Sequence, residues 1–316
     1  MAWSTDNASG PVEPDHHSHL DPGDIPCRGD ILRTMTAVLT TLFCTVFVPT
    51  VERGTEPSPI ISRARKNAHS VLVHEVRSTY QGGMTHIRVL LPDKLEEKRR
   101  YSVVLVLPVE PGTQNRYGDG LQEVQKHDLH NRFQAIFMAP TFSHLPWYAD
   151  HPTKAEIRQE TYLLKVVLPF IARTYPVSVE DSGWLLLGFS KSGWGAFSLL
   201  LRHPELFGKA AAWDAPLLTA LPDRFGMGEI FGTQDNFEKY RISRLLEQQS
   251  DQFQKGTRLI LLGYGNFRDH HQQAHALMEK RGIGHEYRDG PARKHDWHSG
   301  WVPEAVSLLF AGERQP

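Results

Sequence analysis

Five short, almost purely apolar runs limit what this chain can become: YSVVLVLP (101–108), AIFMAP (135–140), WLLLG (184–188), KAAAW (209–213) and RLILLG (258–263). Runs of this length without polar alternation make strands covered on both faces, the kind found in parallel sheets. Helical periodicity fills the gaps. Apolar residues recur every three or four positions over 155–175 and over 192–201, where His203-Pro204 stops the pattern. They recur again over 270–283 and 302–310. Strand alternating with helix predicts an α/β fold, a mostly parallel sheet with helices on both faces. The alternating stretch 71–92, with Gln81-Gly82-Gly83 at its centre, predicts an N-terminal antiparallel hairpin. One segment, 217–250, is long between two strands and carries Gly, Asp and aromatic residues, which predicts a lid-like insertion over the strand ends.

The folded domain is placed at 70–316 and a flexible N-terminal region at 1–69. The first thirty residues are rich in Asp, Pro, Gly and His and poor in aliphatic residues, so they cannot bury much surface. His16, His17 and His19 fall there and could bind a metal adventitiously. The apolar segment 35–50 is shorter than the roughly 20 residues of a membrane span. Its length, with Arg28 and Arg33 ahead of it, suits the core of an export signal. An exported protein is the expectation (periplasmic, secreted, or anchored to a membrane through this segment); the alternative is a buried segment of a cytoplasmic protein. Cys27 and Cys44 are the only cysteines, so the domain itself has no disulfide or thiolate metal site. The net charge of −1 gives no basic surface and excludes nucleic acid as an expected partner.

The chemistry gathers around LLLGFSKSGWGA (185–196). Ser190 lies two residues past an apolar strand and directly before a helix, the context of a nucleophile elbow. The tight turn demands small residues two positions to either side. Gly188 meets the demand, and Ser192 stands where G-x-S-x-G has its second glycine. The N–H of Lys191 would then face an oxyanion. A second donor is expected after 101–108, from Val109 or Glu110, because Pro108 and Pro111 carry no N–H. A serine hydroxyl needs a base, and in this chain order the histidine comes last. GPARKHDWHSGW (290–301) offers His295 and His298, with His295 preferred as the first in the loop. The orienting acid is Asp214 or Asp269, each following a strand; Asp269 is also well placed to cap the helix at 270, which leans the choice to Asp214.

On these residues the chain resembles the Putative esterase family of α/β-hydrolases, which includes esterase D-like enzymes and enterochelin esterases. PWYAD (146–150), ETYLLKVVLPFI (160–171), RHPELFGKAAAWDAP (202–216) and HDWHSGW (295–301) carry the resemblance, from about His74 onward. It implies an α/β-hydrolase fold and a serine carboxylester hydrolase, with Ser190 as nucleophile, His295 as base and Lys191 in the oxyanion hole. The expected partner is a small-molecule ester, with no metal and no organic cofactor. The displaced glycine and the unusual place of the acid keep two alternatives open: a binding protein that has lost turnover, or a peptidase or acyltransferase of the same fold. Trp147, Tyr148, Trp194 and Trp297, with Trp301, form an aromatic set that is core by default and substrate-binding where it lines the site. His271 and His275, four apart on a helix, lack a third ligand for zinc.

Overall fold

The computed structural model describes residues 57–178 and 183–312. The chain runs β1 (Ile60–Ile61), β2 (Arg65–Lys66), β3 (Leu72–Arg77), β4 (Thr85–Leu90), β5 (Val103–Val106), α1 (Gly120–Lys126), α2 (Leu129–Arg132) and β6 (Ile136–Pro140). Next come α3 (Gln159–Tyr162), a π-helical turn (Leu163–Val167) and α4 (Leu168–Thr174), then β7 (Trp184–Phe189), α5 (Ser190–Arg202) and β8 (Lys209–Trp213). The remainder is α6 (Met227–Phe231), α7 (Gln234–Glu238), α8 (Ile242–Gln248), β9 (Leu259–Tyr264), α9 (Arg268–Arg281), β10 (His285–Ala292) and α10 (Val302–Leu309).

All ten strands join one sheet in the order β1-β3-β4-β6-β5-β7-β8-β9-β10, with β2 beside β3. From β6 to β10 every pairing is parallel; β4 meets β6 antiparallel and β3–β4 is the expected hairpin. β1 and β2 fall ahead of position 70, inside the span read from sequence as flexible, and pair with β3. They are two residues each and held by backbone bonds, so they leave no hydropathy alternation to read. The signal-like segment 35–50 lies outside the described residues. Among those described, no helix is long and apolar enough to cross a membrane.

Successive residues of the apolar runs feed two separate cores, as the period of two requires. Val103, Leu105, Leu186, Ala210, Ala212, Leu259 and Leu261 face α4, α5, α8 and α9. Val104, Val106, Leu185, Leu187, Phe189, Ala211, Trp213, Ile260 and Leu262 face α1 and α10. The helix expected over 155–175 begins at Gln159 and widens into a π turn before Pro169. Proline there removes the N–H that a regular helix would send back four residues. Buried Glu160 ties this helix to the end of α5: Arg202 donates to it twice at 2.8 Å and His203 lies 2.7 Å away. Burial alone would raise its pKa, but these partners win and hold it at about 2. The segment 217–250, read as a lid, is built of α6, α7 and α8 with an irregular stretch before them.

Candidate active site

The parallel strands end along one edge, and there the segments after β5, β7, β8, β9 and β10 meet. β7 passes into α5 with no residue between, and Ser190 takes φ 51°. That left-handed conformation costs a non-glycine residue about 1–3 kcal/mol and persists where the surroundings impose it. The turn is closed by Gly188, where a Cβ would lie 2.3 Å from the carbonyl oxygen of Ser192. Ser192 fits where a second glycine was expected because its side chain folds back. Its Oγ donates to the Phe189 carbonyl (2.9 Å) and accepts from the Phe189 N–H (3.0 Å). Ser190 itself is 8% exposed, and its hydroxyl has no hydrogen-bond partner among the described residues.

His295 comes from the loop after β10. Its Nδ1 lies 2.6 Å from Oδ2 of Asp214, and its ring packs edge-on against Phe189, the residue before Ser190, with centroids 5.1 Å apart. Tyr117 and Phe267 flank the same ring at 5.8 Å each. Asp214, fully buried at the end of β8 and also left-handed (φ 42°), receives more than the imidazole. The N–H groups of Asn266 and Phe267, on the loop after β9, donate to its carboxylate at 2.7–2.9 Å. Gly265 is the condition for this approach, since a Cβ there would lie 2.7 Å from Asp214 Oδ2. Burial pushes the Asp214 carboxyl up. His295 and the N–H groups of Gly265, Phe267 and Asn266 outweigh it and hold the pKa below its ordinary value. Asp269 is exposed on the first turn of α9, which starts at Arg268, so it neither caps that helix nor touches His295.

His298 belongs elsewhere. Its Nδ1 lies 2.7 Å from Oε2 of buried Glu123 on α1, and its Nε2 accepts from the Asp119 N–H at 3.4 Å. His271 and His275 do not share a site either. His271 is buried and its Nε2 accepts from the N–H of Ala215 at 2.8 Å, while its neighbour His270 accepts from Leu218 at 3.0 Å. Both bonds fasten the segment after Asp214 to α9. Nothing in the sequence spacing announced this role.

The N–H of Lys191 is among the first four amides of α5, which have no acceptor within the helix. Opposite it in the chain's layout, Val109 and Glu110 follow β5; both are buried, and their N–H groups have no partner among the described residues. Two bonds fix that segment: Leu107 N–H to the Leu187 carbonyl (2.9 Å) and Tyr148 hydroxyl to the Pro108 carbonyl (2.5 Å). Lys191 turns its ammonium toward Tyr117, 6.0 Å from the ring centroid. Burial pulls its pKa down, Glu110 opposes this and Arg116 adds to it.

The aromatic set is core. Trp147, Tyr148, Trp194 and Trp297 are each no more than 2% exposed, so none of them presents a surface to a substrate. Trp297 stacks on Trp301 beneath Phe189, Trp147 meets Trp194 edge-on, and Tyr148 is a strut under Pro108. The aromatic surface beside the histidine comes instead from residues the sequence did not single out. Phe267 touches both His295 and half-exposed Phe225 (5.9 Å), and with Leu218, Leu221 and His270 they line a cleft of about 230 Å³.

The sequence model of the Putative esterase family matches residues 78–306. No curated protein matches. Among solved structures, a ferulic acid esterase superposes with a TM-score of 0.60 at 20% identity, covering 78% of this chain and 96% of its own. An S-formylglutathione hydrolase from Agrobacterium tumefaciens superposes at 0.62 and 14% identity, covering 81% and 99%. The fluorophosphonate-binding serine hydrolase F of Staphylococcus aureus does so at 0.59 and 14%, covering 81% and 98%. Identities this low speak for the fold, an α/β-hydrolase sheet with antiparallel N-terminal strands, while the match across 78–306 speaks for descent: the chain belongs to the Putative esterase family of hydrolases.

Proposed function

We propose that the protein is a serine carboxylester hydrolase working through an acyl-enzyme on Ser190. His295 Nε2 takes the Ser190 proton as Oγ attacks the ester carbonyl, and the negative charge moves to the carbonyl oxygen. The N–H of Lys191, with that of Val109 or Glu110, stabilises that oxygen where charge develops. The imidazolium then protonates the leaving alcohol as the carbon–oxygen bond breaks. Water then attacks the acyl carbonyl as His295 takes its proton, the Oγ–acyl bond breaks as His295 returns that proton to Ser190, and the acid leaves. Asp214 keeps the Nδ1–H tautomer and stabilises the imidazolium. The Ser190–His295 hydrogen bond this requires closes once substrate is bound, as catalytic hydrogen bonds commonly tighten in the complex. The cleft beside His295 takes the apolar part of the ester.

One observation carries this reading: a hydrogen-bonded pair of buried Asp214 and partly buried His295 seated against Phe189, next to a serine held at positive φ. A fluorophosphonate probe is expected to label the wild-type protein and not Ser190→Ala, with aryl ester hydrolysis lost in the same variant. Undiminished labelling of Ser190→Ala would sink the proposal. An unlabelled wild type that still binds esters would instead mark a hydrolase fold turned to binding.

A further inference from the structure

We propose that His275, Glu279 and His285 form a divalent-metal site, suited to zinc, that pins α9 to β10. Among the described residues these three bring one ligand atom each within 4.8 Å of the others. The helix supplies two of them. His275 and Glu279 are four apart, so they share a face. α9 ends at Gly282 in the left-handed conformation (φ 66°), and the chain returns at once as β10, whose first residue is His285. That turn carries the third ligand back to the helix.

The chemistry of the three atoms fits a metal. His285 Nδ1 lies 2.7 Å from the carbonyl of Ile283, and only an N–H can bond there, so Nε2 carries the lone pair. Ligating histidines are held in just this manner, with the other ring nitrogen donating to a backbone carbonyl. His275 Nδ1 donates its N–H to that lone pair at 2.8 Å, a proton that metal binding displaces to Nε2 of the same ring, and Glu279 Oε1 lies 3.8 Å from His285 Nε2. Zinc bonds nitrogen at about 2.0–2.1 Å and carboxylate oxygen at about 2.0–2.2 Å, which sets tetrahedral ligand atoms roughly 3.3 Å apart. The two separations bracket that distance, so small side-chain rotations close the site.

The surroundings hold the ligands ready. The His285 side chain is 2% exposed, and the His275 ring stacks on Tyr287 at 4.2 Å. Glu279 is 66% exposed and leaves the fourth position open to water. The nearby Arg281 is engaged with Glu247 at 2.8 Å. None of the three ligands takes part in the proposed hydrolysis, so the site stands or falls on metal binding alone.

The test is a zinc titration of the full chain, stripped of metal and dialysed, against a chromophoric chelator. The expected result is one zinc per chain at this site and a Tm raised by several degrees at saturating zinc. His275→Ala should abolish stoichiometric binding and Glu279→Gln should weaken it, since each removes one of three protein ligands. Both positions are partly exposed, so these variants fold even where His285→Ala does not. Replacing His16, His17 and His19 by alanine must leave the site in place. Two results would overturn the proposal: no stoichiometric uptake by the wild-type chain, or uptake that survives His275→Ala and disappears with the N-terminal histidines.

Discussion

His295 and His298 stand three residues apart in one loop, and each presents its Nδ1 to a fully buried carboxylate. The Asp214 pair is 2.6 Å long and the Glu123 pair 2.7 Å. By that measure alone the two are equivalent. They differ at the other nitrogen and around the acid. His298 spends its Nε2 on the Asp119 N–H, and Glu123 is shared with Lys126 and His127 on its own helix. That arrangement is complete, and it fastens the loop to α1. The Nε2 of His295 has no partner among the described residues, its ring rests against Phe189, and Asp214 is fed by backbone N–H groups from the neighbouring loop. A histidine–carboxylate pair is therefore not a catalytic signature. What marks His295 is an Nε2 without a partner among the described residues and a ring packed on Phe189, the residue before Ser190.

This contrast can be broken variant by variant. The largest effect is expected from His295→Ala, which should lower kcat for an aryl ester roughly 10⁶-fold, as loss of the base does where triad members act as a unit. Asp214→Asn should follow with a loss of about 10⁴-fold, because the amide no longer imposes the Nδ1–H tautomer. His298→Ala should leave kcat within a few-fold. It should cost about 1–3 kcal/mol of stability by removing a partner from buried Glu123, read as a Tm lowered about 2–4 °C per kcal/mol. A kcat collapse in His298→Ala with an active His295→Ala would reverse the two assignments.

An effect that shows only in acid concerns the clamp behind Asp214. Burial pushes the His271 pKa down to about 4, with Asp214 opposing. An unfolded chain takes up that proton near pH 6.5, so His271 contributes its full stability above 6.5 and loses it as pH falls toward 4. The loss is on the order of 3 kcal/mol. In His271→Gln the stability curve between pH 6.5 and 4 should be shallower, which urea denaturation at several pH values would measure.

The central strands were legible because burial on both faces leaves an unmistakable apolar run, and β5, β6, β7, β8 and β9 lie where those runs are. The strand–turn–helix at Ser190 was legible because a strand end, a glycine and a helix start coincide within five residues. Loop position favoured His295 over His298, but the acid each one meets was not legible, because those acids lie 81 and 175 residues away and only the fold brings them together. Asp214 could be favoured from its place at a strand end, yet the amides of Asn266 and Phe267 that hold it carry no side-chain signal. The aromatic residues misled for a similar reason. A tryptophan reads alike in a core and in a cleft, so Trp147 and Trp194 drew attention while Phe225 and Phe267 did not.

The most direct test is the rate at which a fluorophosphonate acquires a covalent bond to Ser190, followed by intact mass and peptide mapping in wild type, His295→Ala and His298→Ala. The account predicts rapid single-site modification of wild type and His298→Ala, and modification of His295→Ala slower by at least about 10³-fold. Equal rates in wild type and His295→Ala, or modification at a residue other than Ser190, would contradict it.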